Sequence, residues 1–300
     1  MDAWTSQLFL IGYPAVYVGA VLGLALWRRQ NRRERKPFAD EQKLLRGPGE
    51  TLRRRVAEMD ENLDLWLLGG SLLPLVLGPV LMGGVLWCDA QAAGWALALG
   101  GLGMLGGFFL SSRWILRRLA ERQNRYLGYF GERVVAEALE PLKLRGWRIF
   151  HDVPCTTAGA PCNIDHVAIG PGGVFAIETK THRKGRVRPG QPDYQVGFDG
   201  QRLVWPWGED RHGLEQAHRQ AVWLEKWLES LLGRACPVSP ILTLPGWWVE
   251  RTGRGVVQVL NVRELPAALT PPAGAAPLLT GAELDLLARQ LDAVCRDVAY

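Results

Sequence analysis

The chain has 300 residues, 22% of them charged and 48% hydrophobic, and a formal net charge of +5. Residues 4–27, 65–88 and 90–112 carry no charge at all, which excludes both a purely soluble chain and a disordered one. The five cysteines (Cys88, Cys155, Cys162, Cys236, Cys295) are odd in number and form no C-x-x-C pair, so a disulfide scaffold is excluded and they read as incidental thiols in a reducing compartment.

In chain order, each uncharged block exceeds the roughly 20 apolar residues that a helix needs to cross about 30 Å of hydrocarbon. Trp4 and Trp27, Trp66 and Trp87, and Trp95 and Trp114 mark the block ends. At 1.5 Å rise per residue these pairs lie about 34, 32 and 28 Å apart, the spacing of two interfacial aromatic belts. Three transmembrane α-helices are expected, one over residues 1–27 and a hairpin of two over residues 65–118. Basic residues follow the first block (Arg28, Arg29, Arg32, Arg33, Arg35, Lys36) and the third (Arg113, Arg117, Arg118, Arg122, Arg125), whereas the turn between blocks two and three carries Asp89 alone. The positive-inside rule then puts the N-terminus outside and the C-terminal part in the cytosol, as in a multi-pass protein of a bacterial inner (cytoplasmic) membrane. Met1 to Gln7 lacks the basic start of a signal peptide. Gly19 with Gly23 and Gly103 with Gly107 permit close helix approach, either within the chain or in self-association with a second copy. No ionisable group interrupts the blocks, so this part reads as an anchor in the lipid bilayer. Residues 28–64 form a cytosolic basic loop. It is read as a solvated connector, with a short amphipathic helix over residues 52–63 as the other reading.

From Tyr126 the pattern becomes that of a soluble domain. Residues 129–139 read as a helix ended by Pro141. Residues 147–153, 163–169 and 174–180 read as strands, the last two joined by the turn Gly170-Pro171-Gly172-Gly173. A strand is expected over 203–207, a long helix over 214–232 and strands over 241–244 and 256–262. A final helix starts at the capping box Thr280/Glu283. The order suggests an α/β core over residues 126–232 with a C-terminal α/β extension over residues 237–300.

Closing the Gly170–Gly173 turn symmetrically pairs Ile169 with Val174. Counting outward puts Asp165 opposite Glu178, with Lys180 on the same face as Glu178. Two carboxylates so placed have Cβ atoms roughly 5 Å apart and repel. A hard divalent cation removes that conflict and leaves room for a phosphate oxygen. Lys180 beside it can orient or deprotonate a metal-bound water, or balance charge in the transition state. The other reading of the same residues is a cross-strand salt-bridge cluster on a solvated face.

The stretch Asn163-Ile164-Asp165-His166-Val167, the Gly-Pro-Gly-Gly turn and Val174-Phe175-Ala176-Ile177-Glu178-Thr179-Lys180 resemble the NERD, or nuclease-related, domain, a branch of the PD-(D/E)XK nuclease superfamily. Gly131-Glu132 upstream, and Gln216 with His218 and Gln220 downstream, are similar to the family's flanking helices. The sequence departs from the pattern at Thr181-His182 and His212-Gly213, where Asn and Asn-Pro are common. The resemblance implies a restriction-endonuclease-like mixed sheet flanked by helices. It implies Asp165 and Glu178 as metal ligands, the Thr179 carbonyl as a further one, Lys180 as the catalytic lysine, Glu132 as a helix acid near the metal and Gln216 as an orienting group. It also implies hydrolysis of DNA phosphodiesters with Mg2+ (or Mn2+).

Beyond the site, Arg183, Lys184, Arg186 and Arg188, with His182 before them, can hold DNA phosphates or form a solvated basic loop. Trp205, Trp207, Trp223 and Trp227 can stack on bases, though core packing is the expectation for them. His166 points away from Asp165 and is expected in the core; no zinc spacing and no Walker-type loop is present. The expected protein is a membrane-anchored Mg2+-dependent DNA nuclease. The alternative is a non-catalytic nucleic-acid-binding or protein-scaffolding module.

Overall fold

The computed structural model describes residues 43–299 apart from 90, 158, 186–191, 272, 273 and 275, together with scattered positions from 12 to 27. The basic run at residues 28–36, most of the first uncharged block, and Arg186 and Arg188 therefore lie outside the described residues. Two compact units divide the rest. One contains Arg55–Asn124; the other contains Phe38–Arg54 together with Arg125–Tyr300.

The first unit holds two antiparallel helices, α2 (Leu63–Cys88) and the start of α3 (Ala93–Lys143). Both are long and apolar enough to cross a membrane. The apolar part of α3 ends at Ser112, ahead of Arg113. Leu102, Leu105, Phe108 and Phe109 are each more than 60% exposed, an arrangement that water penalises and lipid does not. A Cβ added at Gly78 would lie 2.2 Å from Met104, one at Gly103 2.6 Å from Leu81 and one at Gly107 2.9 Å from Pro74. The close-approach pair Gly103/Gly107 is thus used within the hairpin, where small residues bring backbones together. Trp66 and Trp114 meet edge to face at 6.1 Å, and the Arg118 guanidinium lies 5.5 and 5.7 Å from their rings.

The second unit is built on a five-stranded mixed sheet. Its strands are β2 (Arg148–Thr157), β3 (Ala160–Gly170), β4 (Gly173–Thr179), β8 (Val238–Thr243) and β10 (Gln258–Leu260), in the order β10-β8-β4-β3-β2. The β2, β3 and β4 pairings are antiparallel, and those of β4 with β8 and β8 with β10 are parallel. Val135, Leu139 and Leu142 of α3 pack with Phe175, Ile177 and Ile241. Ala221, Leu224 and Leu228 of α4 (His212–Leu232), with Leu287 and Leu291 of α5 (Gly281–Cys295), pack with Val167, Val174 and Ala176. A smaller sheet, β7-β6-β5-β9, combines β5 (Gln195–Phe198), β6 (Leu203–Trp205), β7 (Gly208–Asp210) and β9 (Trp248–Arg251).

Several expectations change. The connector contains a helix, α1 (Glu50–Glu61), preceded by a strand, β1 (Leu44–Leu45). That strand pairs with β11 (Arg296–Val298) near the other end of the chain. Pro141 sits inside the last turn of α3, which runs two residues further to Lys143; so near a helix end its missing N–H forfeits little. Cys155 and Cys162 form a disulfide, because the β2/β3 register sets them directly opposite each other. They are not incidental thiols, whereas Cys88, Cys236 and Cys295 are free. The capping box at Thr280/Glu283 is formed.

Candidate active site

The hairpin register is Ile169 against Val174, and its last paired residues are His166 and Ile177. One step further, Asp165 stands level with Glu178. The ladder there gives way to a side-chain contact, with the Thr179 N–H donating to Asp165 Oδ2 at 2.7 Å. Glu178 is 1% exposed. Its Oε1 lies 2.7 Å from Lys180 Nζ, which also donates to Gln216 Oε1 at 2.9 Å. Strand alternation explains the first contact, since Glu178 and Lys180 are two apart. Gly213 explains the second, because a Cβ there would already touch Lys180 Cγ at 3.3 Å, so the start of α4 can lie against the lysine. Glu132 arrives from α3 by a closer approach still. A Cβ on its neighbour Gly131 would fall 1.9 Å from Thr181 Oγ1.

These acids crowd one another. Burial, then the charges of Asp152 and Glu178, push the Glu132 carboxyl up to about 8. Asp165 is half-buried, and burial, Glu178 and Glu132 hold its carboxyl well above the usual carboxylate range. Burial pulls the Lys180 ammonium down, but Glu178, Asp165 and Glu132 outweigh it and leave its pKa raised. Lys180 is therefore a fixed cation at neutral pH.

Glu132 Oε2 and Glu178 Oε2 are buried with no hydrogen-bond partner among the described residues. Orphaned, mutually repelling carboxylate oxygens fit a hard divalent cation. Among the described residues, however, no three His, Cys, Asp or Glu side chains stand close enough to form a ready-made cage. The fit therefore lies in the chemistry of the donors alone.

Residues 127–245 match the family model of NERD, the Nuclease-related domain. No curated protein matches the chain, and no solved structure does. The NERD segment contains Glu132, Asp165, Glu178, Thr179, Lys180 and Gln216, so every ligand and catalytic candidate read from the sequence lies inside it.

A latch beside the site ties it to residues outside the NERD segment. Asp152, 3% exposed and at φ 50°, stands opposite Asp165 by the β2/β3 count. Its carboxylate accepts from Thr51 N (3.1 Å), Thr51 Oγ1 (2.7 Å), Arg46 (3.1 Å) and Asn163 Nδ2 (3.0 Å). Arg46 also holds Asp297 at 2.5 and 2.7 Å. This latch carries Gly49, whose backbone lies against the Glu132 carboxyl and lowers its pKa. Nothing local in residues 43–54 signals their partners.

Of the basic loop, Arg183 and Lys184 are exposed just past the site. Gln220, one turn beyond Gln216, is buried and donates to the Asn163 carbonyl at 2.7 Å, whereas His218 is exposed. His166 is fully buried, and its Nδ1 lies 2.8 Å from that of His151. Burial holds His151 down to about 4 and His166 well below its ordinary value, so the pair is neutral and belongs to the core. Trp223 and Trp227 stack at 6.1 Å against the α4 core.

Proposed function

We propose that the chain is a membrane-anchored, Mg2+-dependent DNA nuclease with a restriction-endonuclease-like second unit. The observation that carries this reading is the Glu178–Lys180 pair beside Asp165 and Glu132, with two orphaned carboxylate oxygens, inside a NERD segment. Asp165, Glu178, Glu132 and the Thr179 carbonyl would hold the cation. When bound, Mg2+ (or Mn2+) supplies a Lewis acid and lowers the pKa of its water.

The chain's own groups do the rest. The Thr179 N–H fixes the orientation of Asp165. Glu178 and Gln216 clamp the Lys180 ammonium, which offers fixed positive charge to a phosphate as negative charge builds on it. Arg183 and Lys184 extend positive charge along the strand exit, with Arg186 and Arg188 next in sequence, for backbone phosphates. The two apolar helices, with the first uncharged block as a third span, anchor the unit to a bacterial inner membrane; the basic flanks put it in the cytosol.

The test uses the full chain in detergent with plasmid DNA. Cleavage should require Mg2+ or Mn2+, stop in EDTA and be lost in Asp165→Ala and Lys180→Ala. Cleavage that persists in both variants would remove the site assignment. The lack of a ready-made cage favours a second reading, a non-catalytic nucleic-acid-binding module. That module would bind DNA equally well in EDTA and never cut it.

A further inference from the structure

Two residues past Lys180 the chain enters an aromatic cluster. The rings of Trp205 and Trp207 stack at 5.3 Å with an interplanar angle of 11°. Trp247 meets both edge-on, at 5.0 and 5.5 Å. The His182 ring lies 4.5 Å from Trp205 and 5.8 Å from Trp207. Trp247 Nε1 donates to the His182 carbonyl at 3.2 Å, tying the cluster to the segment that leaves the candidate active site. Lys184 Nζ stands 5.9 Å from the Trp247 ring.

The four rings are not equally covered. Trp205 and Trp247 are 4% and 1% exposed and belong to the core of the smaller sheet. Trp207 is 37% exposed, and His182 is exposed too. Trp207 occupies the turn between β6 and β7, where Pro206 restricts the backbone. A large apolar ring is thus held partly open to solvent on a rigid aromatic wall, with Lys184 beside the neighbouring Trp247. Core packing explains the two buried indoles but not the open one, whose exposure forgoes apolar burial. A preorganised ring loses little rotamer freedom when a flat partner settles on it.

We propose that Trp207 and His182, backed by Trp205 and Trp247 and flanked by Lys184, form a stacking subsite for an unpaired nucleobase. This rests on the nuclease reading above and narrows it to nucleic acid with a single-stranded or frayed stretch next to the scissile bond. Every base has a π face, so the subsite selects strand state and not sequence. Bases paired in an intact duplex are stacked on their neighbours and cannot reach it.

The experiment measures binding of the full chain, in detergent and EDTA so that nothing is cut. The probes are a fluorescent single-stranded oligodeoxynucleotide, the same sequence as a duplex, and a strand of equal length with abasic residues at its centre. The wild type should prefer the intact single strand to the abasic one by roughly tenfold, the scale of one base–aromatic stack. Trp207→Ala should abolish that preference while binding the duplex within twofold of wild type and keeping the same salt dependence. Trp207→Phe should restore most of it, which a merely structural role at an exposed turn would not require. Equal binding of intact and abasic strands by the wild type, or an unchanged preference in Trp207→Ala, overturns the subsite and leaves the nuclease reading standing. No binding of any of the three probes in EDTA also overturns the subsite, and the nuclease reading then rests on the Mg2+ cleavage assay alone.

Discussion

Lys180 Nζ lies 2.7 Å from Glu178 Oε1, and that carboxylate's other oxygen has no partner among the described residues. The pair joins a buried, half-satisfied carboxylate to a part-buried ammonium. Such a pair gives little net stability, but removing one member is costly because the other charge is stranded.

Lys180→Met should therefore destabilise the second unit by about 2–4 kcal/mol, read as a lower denaturant midpoint of the tryptophan signal. Glu178→Gln with Lys180→Met should recover part of the loss. Additive losses in the double variant would show that the contact carries no coupling.

The Glu132 carboxyl, raised by burial to about 8, makes stability depend on pH. The native state holds a proton that the unfolded chain releases at its ordinary value of 4.5. The contribution is fully present below 4.5 and is lost as pH rises through about 8. In EDTA the denaturant midpoint should fall from mildly acidic to mildly alkaline pH. Mg2+ should raise it more at the alkaline end. An equal Mg2+ effect at both ends would place the cation elsewhere.

The latch at Asp152 makes a separate prediction. Asp152→Ala removes the acceptor for Thr51, Arg46 and Asn163, and should cost about 2–3 kcal/mol. Asp152→Asn should cost less, since Asn tolerates φ 50° and keeps an acceptor oxygen. Trypsin should cut between Lys43 and Arg55 faster in Asp152→Ala than in the wild type. Unchanged cutting would mean that this segment is held by something other than Asp152.

Alkylation of the protein unfolded without reductant should modify Cys88, Cys236 and Cys295 and leave Cys155 and Cys162 unmodified until reductant is added. Five modified cysteines would remove the bond. Because the cytosol keeps thiols reduced, the bond's state in protein drawn directly from cells also bears on the proposed orientation.

Counting outward from the Gly170–Gly173 turn was enough to bring Asp165, Glu178 and Lys180 together, because a tight turn fixes register and strand period fixes face. Gly103 and Gly107 were equally readable, since small residues four apart mark a close helix contact. Asp152 was not. Its left-handed φ sits inside β2, where the core-facing set changes parity, from Phe150 before it to Val153 and Cys155 after it. Local pattern marks the helix over Glu50–Glu61 only weakly, because the residues that anchor its start, Asp152 and Asp297, lie about 100 and 250 positions away. Local pattern cannot report such contacts. The Cys155–Cys162 bond escaped because a count of cysteines ignores the register that sets two of them face to face.

The most direct test of the central claim is Mn2+ binding to the full chain in detergent, followed by electron paramagnetic resonance. The wild type should take up Mn2+ at a protein site that Mg2+ displaces. Asp165→Asn and Glu178→Gln should each abolish that uptake, and His166→Asn should not. Mn2+ uptake that survives both carboxylate substitutions, or none in the wild type at millimolar Mn2+, would contradict a metal-dependent site built on these acids.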